Sequence, residues 1–155
     1  MSYNYGNSGN KLNFVNDAII GNQDMGDFRN LNTTNDDYEY WPNGGLKTDK
    51  NKGISLIEYD TYLNKVKKVN WADGRWITFT YNGASELIQR KNSTGDIWDY
   101  ANGIIYKNNV AYQIPTPEGR IVNNAGSWAY EYELPNSERN IRRFFKDKKK
   151  NSKQT

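Results

Sequence analysis

The sequence contains no cysteine and no histidine, and only 4 prolines and 2 methionines among 155 residues. Without cysteine there is no disulfide framework, no thiolate nucleophile and no sulfur-ligated metal. Without histidine the Ser-His-Asp and Cys-His triads, imidazole zinc sites and a histidine pH switch are excluded. No apolar run reaches the roughly 18 residues that a membrane-spanning helix needs. The N-terminal residues Met1-Ser2-Tyr3-Asn4-Tyr5 lack a basic stretch followed by an apolar one. No signal peptide is therefore expected here, which places the chain in the cytosol or inside a larger exported protein. Composition alone thus disfavours most common enzyme classes.

What is abundant is the chemistry of turns and strands: 23 Asn, 13 Gly and 12 Tyr, with aromatics at 14% and apolar types at only 35%. Asn and Gly punctuate chains with turns, and Tyr fits a half-buried pleated surface. The net charge of +3 is unevenly spread. Residues 139–155 hold 8 basic residues and one acid, for +7, and residues 1–138 hold 13 basic and 17 acidic, for −4. The body is mildly acidic and the tail basic, so the overall charge is no footprint of specific nucleic-acid binding.

Ile54, Leu56 and Tyr59, and then Trp76, Ile77, Phe79 and Tyr81, read as strands of near-period two. Between them Trp71-Ala72-Asp73-Gly74-Arg75 carries the Asp-Gly signal of a hairpin, because Gly takes positive φ cheaply. Asn43-Gly44, Asn82-Gly83 and Asn102-Gly103 predict further hairpin turns, and Lys107-Asn108-Asn109-Val110 another that returns through Tyr112 and Ile114. Residues 16–36 carry the weakest pattern and are expected to form a long loop. The fold class expected is all-β: sequential antiparallel hairpins over residues 1–145, followed by a disordered Lys-rich tail over residues 146–155.

Aromatic pairs recur before these turns: Tyr3/Tyr5 before Gly9-Asn10, Tyr38/Tyr40 before Asn43-Gly44, Phe79/Tyr81 before Asn82-Gly83, Trp98/Tyr100 before Asn102-Gly103, and Tyr130/Tyr132. Tyr59-Asp60 is a single-aromatic variant. From Tyr40 to Tyr59, Tyr81 and Tyr100 the steps are 19, 22 and 19 residues. A period near 20 with one hairpin per unit predicts a β-repeat array, in which a lone unit cannot bury its aromatic face.

These residues resemble the RHS/YD-repeat proteins, in the form of the bacterial RHS repeat-associated core. Tyr3-Asn4-Tyr5-Gly6-Asn7-Ser8-Gly9-Asn10-Lys11-Leu12 is similar to the repeat Y-x-Y-D-x-x-G-N-x-L, and Asp37-Tyr38-Glu39-Tyr40-Trp41-Pro42-Asn43-Gly44-Gly45-Leu46 to a second copy with Trp41 in place of Asp. Asp49-Lys50-Asn51-Lys52-Gly53-Ile54 resembles the link D-x-N-K-G-I. Asp99-Tyr100-Ala101-Asn102-Gly103-Ile104-Ile105-Tyr106 resembles D-Y-x-G-G-x-x-Y, and Thr116-Pro117-Glu118-Gly119-Arg120 resembles x-P-E-G-R. The resemblance implies a strip of a spiralling β-sheet shell that encloses a C-terminal toxin or effector. It further implies secretion or surface display within a larger parent, with neighbouring repeats or an effector domain as partners. Beyond Tyr130-Glu131-Tyr132-Glu133-Leu134 the sequence departs from the family's K-D-H-L-G-N-x-R, matching only at Asn140 and Arg142, and it contains no Asp-Pro pair. The family's self-cleavage is therefore not carried over. The reading is of a non-catalytic structural segment with no cofactor. The alternative is a carbohydrate- or surface-binding module.

The residues offer other chemistries. Asp24/Asp27, Asp36/Asp37, Asp96/Asp99 and Glu131/Glu133 are paired acids of the kind that glycosidases and aspartic proteases use. They read instead as solvated carboxylates, with Glu131 and Glu133 on the wet face of a strand whose other face carries Tyr130 and Tyr132. Asp24-Met25-Gly26-Asp27 and Asn35-Asp36-Asp37 lack the twelve-residue calcium-loop pattern. The glycines form no phosphate loop. Trp41, Trp71, Trp76, Trp98 and Trp128 suit a sugar-stacking platform, but cross-strand packing is the reading preferred. The basic tail is read as a solubilising end rather than a polyanion site.

Overall fold

The computed structural model describes residues 1–6, 9–17, 28, 31–135 and 141–146. Among the described residues fourteen strands follow one another: β1 (Ser2–Tyr5), β2 (Leu12–Asn16), β3 (Tyr38–Tyr40), β4 (Leu46–Asp49), β5 (Ile54–Tyr59), β6 (Val66–Trp71), β7 (Trp76–Tyr81), β8 (Leu87–Asn92), β9 (Ile97–Ala101), β10 (Ile104–Lys107), β11 (Val110–Thr116), β12 (Gly119–Asn124), β13 (Ser127–Pro135) and β14 (Ile141–Lys146). A 3-10 turn, Lys50–Lys52, joins β4 to β5. Strands β3 to β14 form one twelve-stranded sheet in strict chain order, and β1 and β2 form a separate pair. Every pairing is antiparallel. The all-β, hairpin-by-hairpin expectation therefore holds. The loop expected over 16–36 falls largely outside the described residues. So does the tail, except that Lys146 closes β14.

The connections come in two styles. In the first half, Trp41, Trp71, Asn82 and Asn92 each open a three-residue loop: the amide of the opening residue donates to the carbonyl four residues on, and its own carbonyl accepts from the amide three residues on. That is a type I turn followed by a left-handed residue. The left-handed positions are Gly44 (φ 87°), Gly74 (φ 89°), Ser85 (φ 64°) and Gly95 (φ 88°). Gly44 and Gly74 thus take the positive φ expected of them. Asn82-Gly83 opens the β7–β8 hairpin as expected, in a three-residue loop. The Asn82 carboxamide oxygen accepts the amides of Ala84 and Glu86, so the loop closes around that side chain and Ser85 takes the left-handed conformation. Three later loops shorten to two residues, Asn102-Gly103, Asn108-Asn109 and Ala125-Gly126, all at positive φ as a primed hairpin turn demands.

The recurring tyrosine has a specific task. Tyr40, Tyr59 and Tyr81 each end a strand at a register shift and pair with the first residue of the next strand, Leu46, Val66 and Leu87 respectively. Tyr5 pairs with Leu12 in the same way. Each of the three hydroxyls then donates back to the first residue of the strand before: Tyr40 to the carbonyl of Leu12 (2.9 Å), Tyr59 to that of Leu46 (3.0 Å) and Tyr81 to that of Val66 (2.9 Å). One tyrosine per repeat therefore ties three successive strands. Tyr100 breaks the series: it lies inside β9 and pairs with Ile105 in unshifted register.

Substantial contacts run between consecutive elements along the array. Among the described residues these contacts stay within one layer, which leaves little opposing surface to bury against. Among the described residues the buried apolar side chains are Val15, Ile57 and Val122, fewer than the buried polar ones, Asp37, Thr48, Asp49, Asn51 and Glu131. Side chains cover one another along rows instead. Phe79 pairs with Arg90, Arg90 with Trp98 and Trp98 with Lys107 on four adjacent strands. The Arg90 guanidinium lies 4.1 Å and the Lys107 ammonium 5.1 Å from the Trp98 ring centroid. Lys11 over Tyr40, Lys47 over Trp41 and Arg75 over Trp71 repeat the device. A soluble chain shows about one such contact per 70–80 residues, so cations here stand in for a missing second layer.

These turns make a direct test. At Gly74 a Cβ meets nothing within 4 Å, so only its φ resists substitution, whereas Gly83 has neither positive φ nor a close neighbour. Gly74→Ala is expected to cost about 1–2 kcal/mol in urea titration, and Gly83→Ala close to nothing or a slight gain. Equal effects would show that the left-handed residue of this loop style is placed wrongly.

Candidate functional site

The most enclosed polar cluster lies where the β1–β2 pair meets β3 and β4. Asp37, just ahead of β3, is 1% exposed. One carboxylate oxygen accepts the Val15 amide of β2 (2.8 Å) and the other the Asn32 carboxamide (3.0 Å), while its backbone carbonyl accepts the Lys50 amide (2.9 Å). Asn51, in the 3-10 turn, accepts the amides of Leu31 and Asn32 on its carboxamide oxygen (2.8 and 3.0 Å). Asp49 caps that turn by accepting the Lys52 amide, and Gly53 closes it at φ 65° with its amide on the Lys50 carbonyl. This accounts physically for Asp49-Lys50-Asn51-Lys52-Gly53-Ile54: a cap, a side chain that holds a neighbouring loop, and a left-handed exit.

Asp36 and Asp37 are thus not a solvated pair. Asp37 is buried, with its carboxylate hydrogen-bonded to the Val15 amide and the Asn32 carboxamide, as a carboxylate removed from water must be. Asp36 is exposed and held by Lys50, Thr34 and Asn32. The Lys50 ammonium, followed by the Thr34 hydroxyl and the Asn32 amide, holds its carboxyl well below the usual range. Asp96 and Asp99 diverge as well. Asp96 meets Lys107 (3.4 Å) and the Asn108 amide (3.1 Å), while Asp99 accepts from Gln89 (2.6 Å). Asp24 and Asp27 lie outside the described residues. Among the described residues no three acidic side chains gather closely enough to hold a metal ion.

The segment Pro117-Glu118-Gly119-Arg120 forms the β11–β12 turn and the strand start after it. Thr116 pairs with Gly119 across the turn, and Gly119 faces Tyr132 on β13. A Cβ on Gly119 would lie 2.1 Å from the Glu131 carbonyl oxygen, so only glycine fits. Arg120 then reaches its cross-strand partner Glu131, with Nε 2.8 Å and a terminal nitrogen 2.7 Å from one carboxylate oxygen. Here the expected faces are reversed. Glu131 is buried, and Tyr130 and Tyr132, expected on the covered face, are 48% and 41% exposed. Arg120 supplies the partner that makes burial of Glu131 tolerable, and the tyrosines take the open side.

The tryptophans divide accordingly. Trp41, Trp71 and Trp98 are covered by cations, and the Trp41 indole N–H also donates to the Ile57 carbonyl (2.9 Å). Trp41, Pro42, Asn43, Glu58, Tyr59 and Thr61 line an open groove of about 450 Å³. Its floor is close-packed because Gly45 lets the Tyr59 ring lie against the turn. Trp128 alone of the five is classed as exposed, in line with Tyr130 and Tyr132 on one face of β13. The Tyr130 and Tyr132 rings stack with centroids 6.2 Å apart.

The remaining repeat residues serve the hairpins. Tyr3 and Tyr5 are exposed on β1, Gly9 (φ 109°) and Asn10 lie in the turn after it, and Tyr38 starts β3. Asn43 accepts the Gly45 amide, Asp60 accepts the amides of Tyr62 and Leu63, and Gly103 completes the β9–β10 turn. Asn32 and Arg90 escape the motif reading, and the role of Asp37 goes unread in it, because nothing in their local sequence marks contacts made across strands or loops. Family models, curated proteins and solved structures return no match to this chain.

Asp37→Ala leaves the buried Val15 amide without an acceptor and should cost about 1–3 kcal/mol in urea titration. A loss below about 0.5 kcal/mol would mean that the two sheets are not joined through this carboxylate.

Acid should act through the carboxylates of Asp36, Asp60, Asp73 and Asp96. Asp60 is lowered by the Leu63 and Tyr62 amides, Asp73 by the amide and then the guanidinium of Arg75, and Asp96 first by the Asn108 amide. With Asp36, each is more acidic folded than unfolded, so their stabilisation is complete above the unfolded value. As pH falls, the unfolded chain binds protons first, from about pH 4, and the gain is gone once pH has passed the folded values. The thermal midpoint should therefore hold from neutrality to about pH 5 and drop below about pH 4, less steeply in Asp60→Asn. A midpoint unchanged to about pH 2 would contradict this assignment.

Proposed function

We propose that the chain is a non-catalytic structural segment of an RHS/YD-repeat shell, one strip of the wall that in that family encloses a C-terminal toxin or effector. The observation that carries this reading is the single-layer meander, in which each strand leans on the next and the tyrosines of three repeats, Tyr40, Tyr59 and Tyr81, tie strand to strand. A wall needs this economy: a thin sheet extended by adding hairpins, completed by its neighbours rather than by a core of its own. The motif residues Tyr40, Gly44, Tyr59, Tyr81, Gly119 and Arg120 all hold strand ends and turns, which fits a framework role. Partners under this reading are adjoining repeats or an effector domain of a larger parent, secreted or displayed at a cell surface.

A second reading, a carbohydrate- or surface-binding module, is favoured by Trp128, Tyr130 and Tyr132, whose rings stand exposed on one face while Trp41, Trp71 and Trp98 are capped by cations.

Sedimentation velocity and a glycan array separate the two. A wall segment should self-associate as concentration rises, because a one-layer sheet exposes apolar faces and strand edges. It should bind no glycan. A compact monomer at high concentration that retains a glycan, with binding lost in Trp128→Ala, would replace the first reading with the second.

A further inference from the structure

Asn-Gly pairs are the sites at which proteins modify themselves: the glycine nitrogen, unhindered by a side chain, can attack the asparagine carboxamide. The sequence holds three, Asn43-Gly44, Asn82-Gly83 and Asn102-Gly103. The fold treats them unequally. The Asn43 oxygen accepts the Gly45 amide, and the nitrogen that would attack it belongs to Gly44, whose N–H donates to the Trp41 carbonyl (2.9 Å). Asn82 is held at both ends: its oxygen accepts the amides of Ala84 and Glu86, and its nitrogen donates to the Glu86 carboxylate (2.8 Å). Two kindred pairs are restrained in the same way. Asp73-Gly74 is tied by Arg75, and Asn92-Ser93 by Thr94 and Asp96. Asn102 is different. It is exposed at φ 50° in a two-residue loop, and no hydrogen bond among the described residues engages its carboxamide or the Gly103 amide.

We propose that Asn102-Gly103 is a site of spontaneous deamidation and isoaspartate formation, and that the folded chain protects Asn43 and Asn82. In the step, the Gly103 nitrogen bonds to the Asn102 Cγ and gives up its proton as the Cγ–Nδ2 bond breaks, and Nδ2 leaves as ammonia. Water then opens the resulting succinimide at either carbonyl, giving aspartate or isoaspartate at position 102. Both products add a negative charge to the β9–β10 turn, and isoaspartate also adds a backbone carbon. That turn fixes the pairing of Ala101 with Ile104 and has no spare residue to absorb the extra length.

The test ages the full chain at mildly alkaline pH, native and in urea, and follows three tryptic peptides by mass spectrometry. Residues 92–107 report Asn102, residues 76–90 report Asn82 and residues 30–47 report Asn43. Isoaspartate is scored by methyl transfer from labelled S-adenosylmethionine with an isoaspartyl-directed methyltransferase. In urea the three asparagines should convert at similar rates. In the native protein Asn102 should convert at least about tenfold faster than Asn43 or Asn82, whose hydrogen bonds must first break. Fragmentation of the 92–107 peptide should place the change at Asn102 and not Asn92. Native conversion of Asn43 or Asn82 as fast as Asn102, or protection of Asn102 equal to theirs, overturns the proposal.

Discussion

In this molecule each strand depends on the backbone ladder and side-chain rows of the strands beside it. Where a two-layer domain gains most of its stability from apolar area hidden between layers, this sheet hides little. The tyrosine hydroxyls that reach the carbonyls of Leu12, Leu46 and Val66 therefore carry unusual weight. They add to the ladder a bond between strand ends, where fraying starts. The cations over Trp41, Trp71 and Trp98 serve the same end by shielding ring faces that no second layer covers.

The same constraint explains why polar groups dominate the buried set. Asp37, Asp49 and Asn51 lie where two sheets meet without sharing a ladder. At such a seam the backbone amides of one sheet end have no strand to pair with, and side chains must supply the acceptors. Asp37 does so for Val15, and Asn51 for Leu31 and Asn32. The motif that looks like a linker is a joint.

Much of the fold was legible from Asn, Gly and Tyr. Turn chemistry is local, so Asp73-Gly74, Asn102-Gly103 and Asn108-Asn109 announce their hairpins within a few residues, and sequential hairpins leave little doubt about strand order. What was not legible depends on partners distant in sequence. Glu131 looked like a wet-face carboxylate because its partner Arg120 lies one strand away. Asp37 looked solvated because the amide it accepts is Val15's. The Asn82-Gly83 hairpin was legible as a turn, but not that the Asn82 side chain, rather than Gly83, organises the loop. The spacing of Tyr40, Tyr59 and Tyr81 signalled a repeat, but not that each tyrosine sits at a register shift with its hydroxyl on the preceding strand. Tyr100 keeps the spacing without the role, since its strand turns in two residues and meets its neighbour unshifted.

A sheet in strict chain order, whose substantial contacts run between consecutive strands, has a mechanical consequence. Pulled from its ends, it offers no shear-loaded pair of terminal strands of the kind that makes sandwich domains resist force. Tension instead falls on one hairpin at a time and opens its ladder like a zipper. The tyrosine clasps on Tyr40, Tyr59 and Tyr81 would meter that opening in steps of a repeat, and the stretch from β9 onward, joined by two-residue turns without such clasps, would yield in smaller ones. Such a sheet could be dismantled from an edge by modest force.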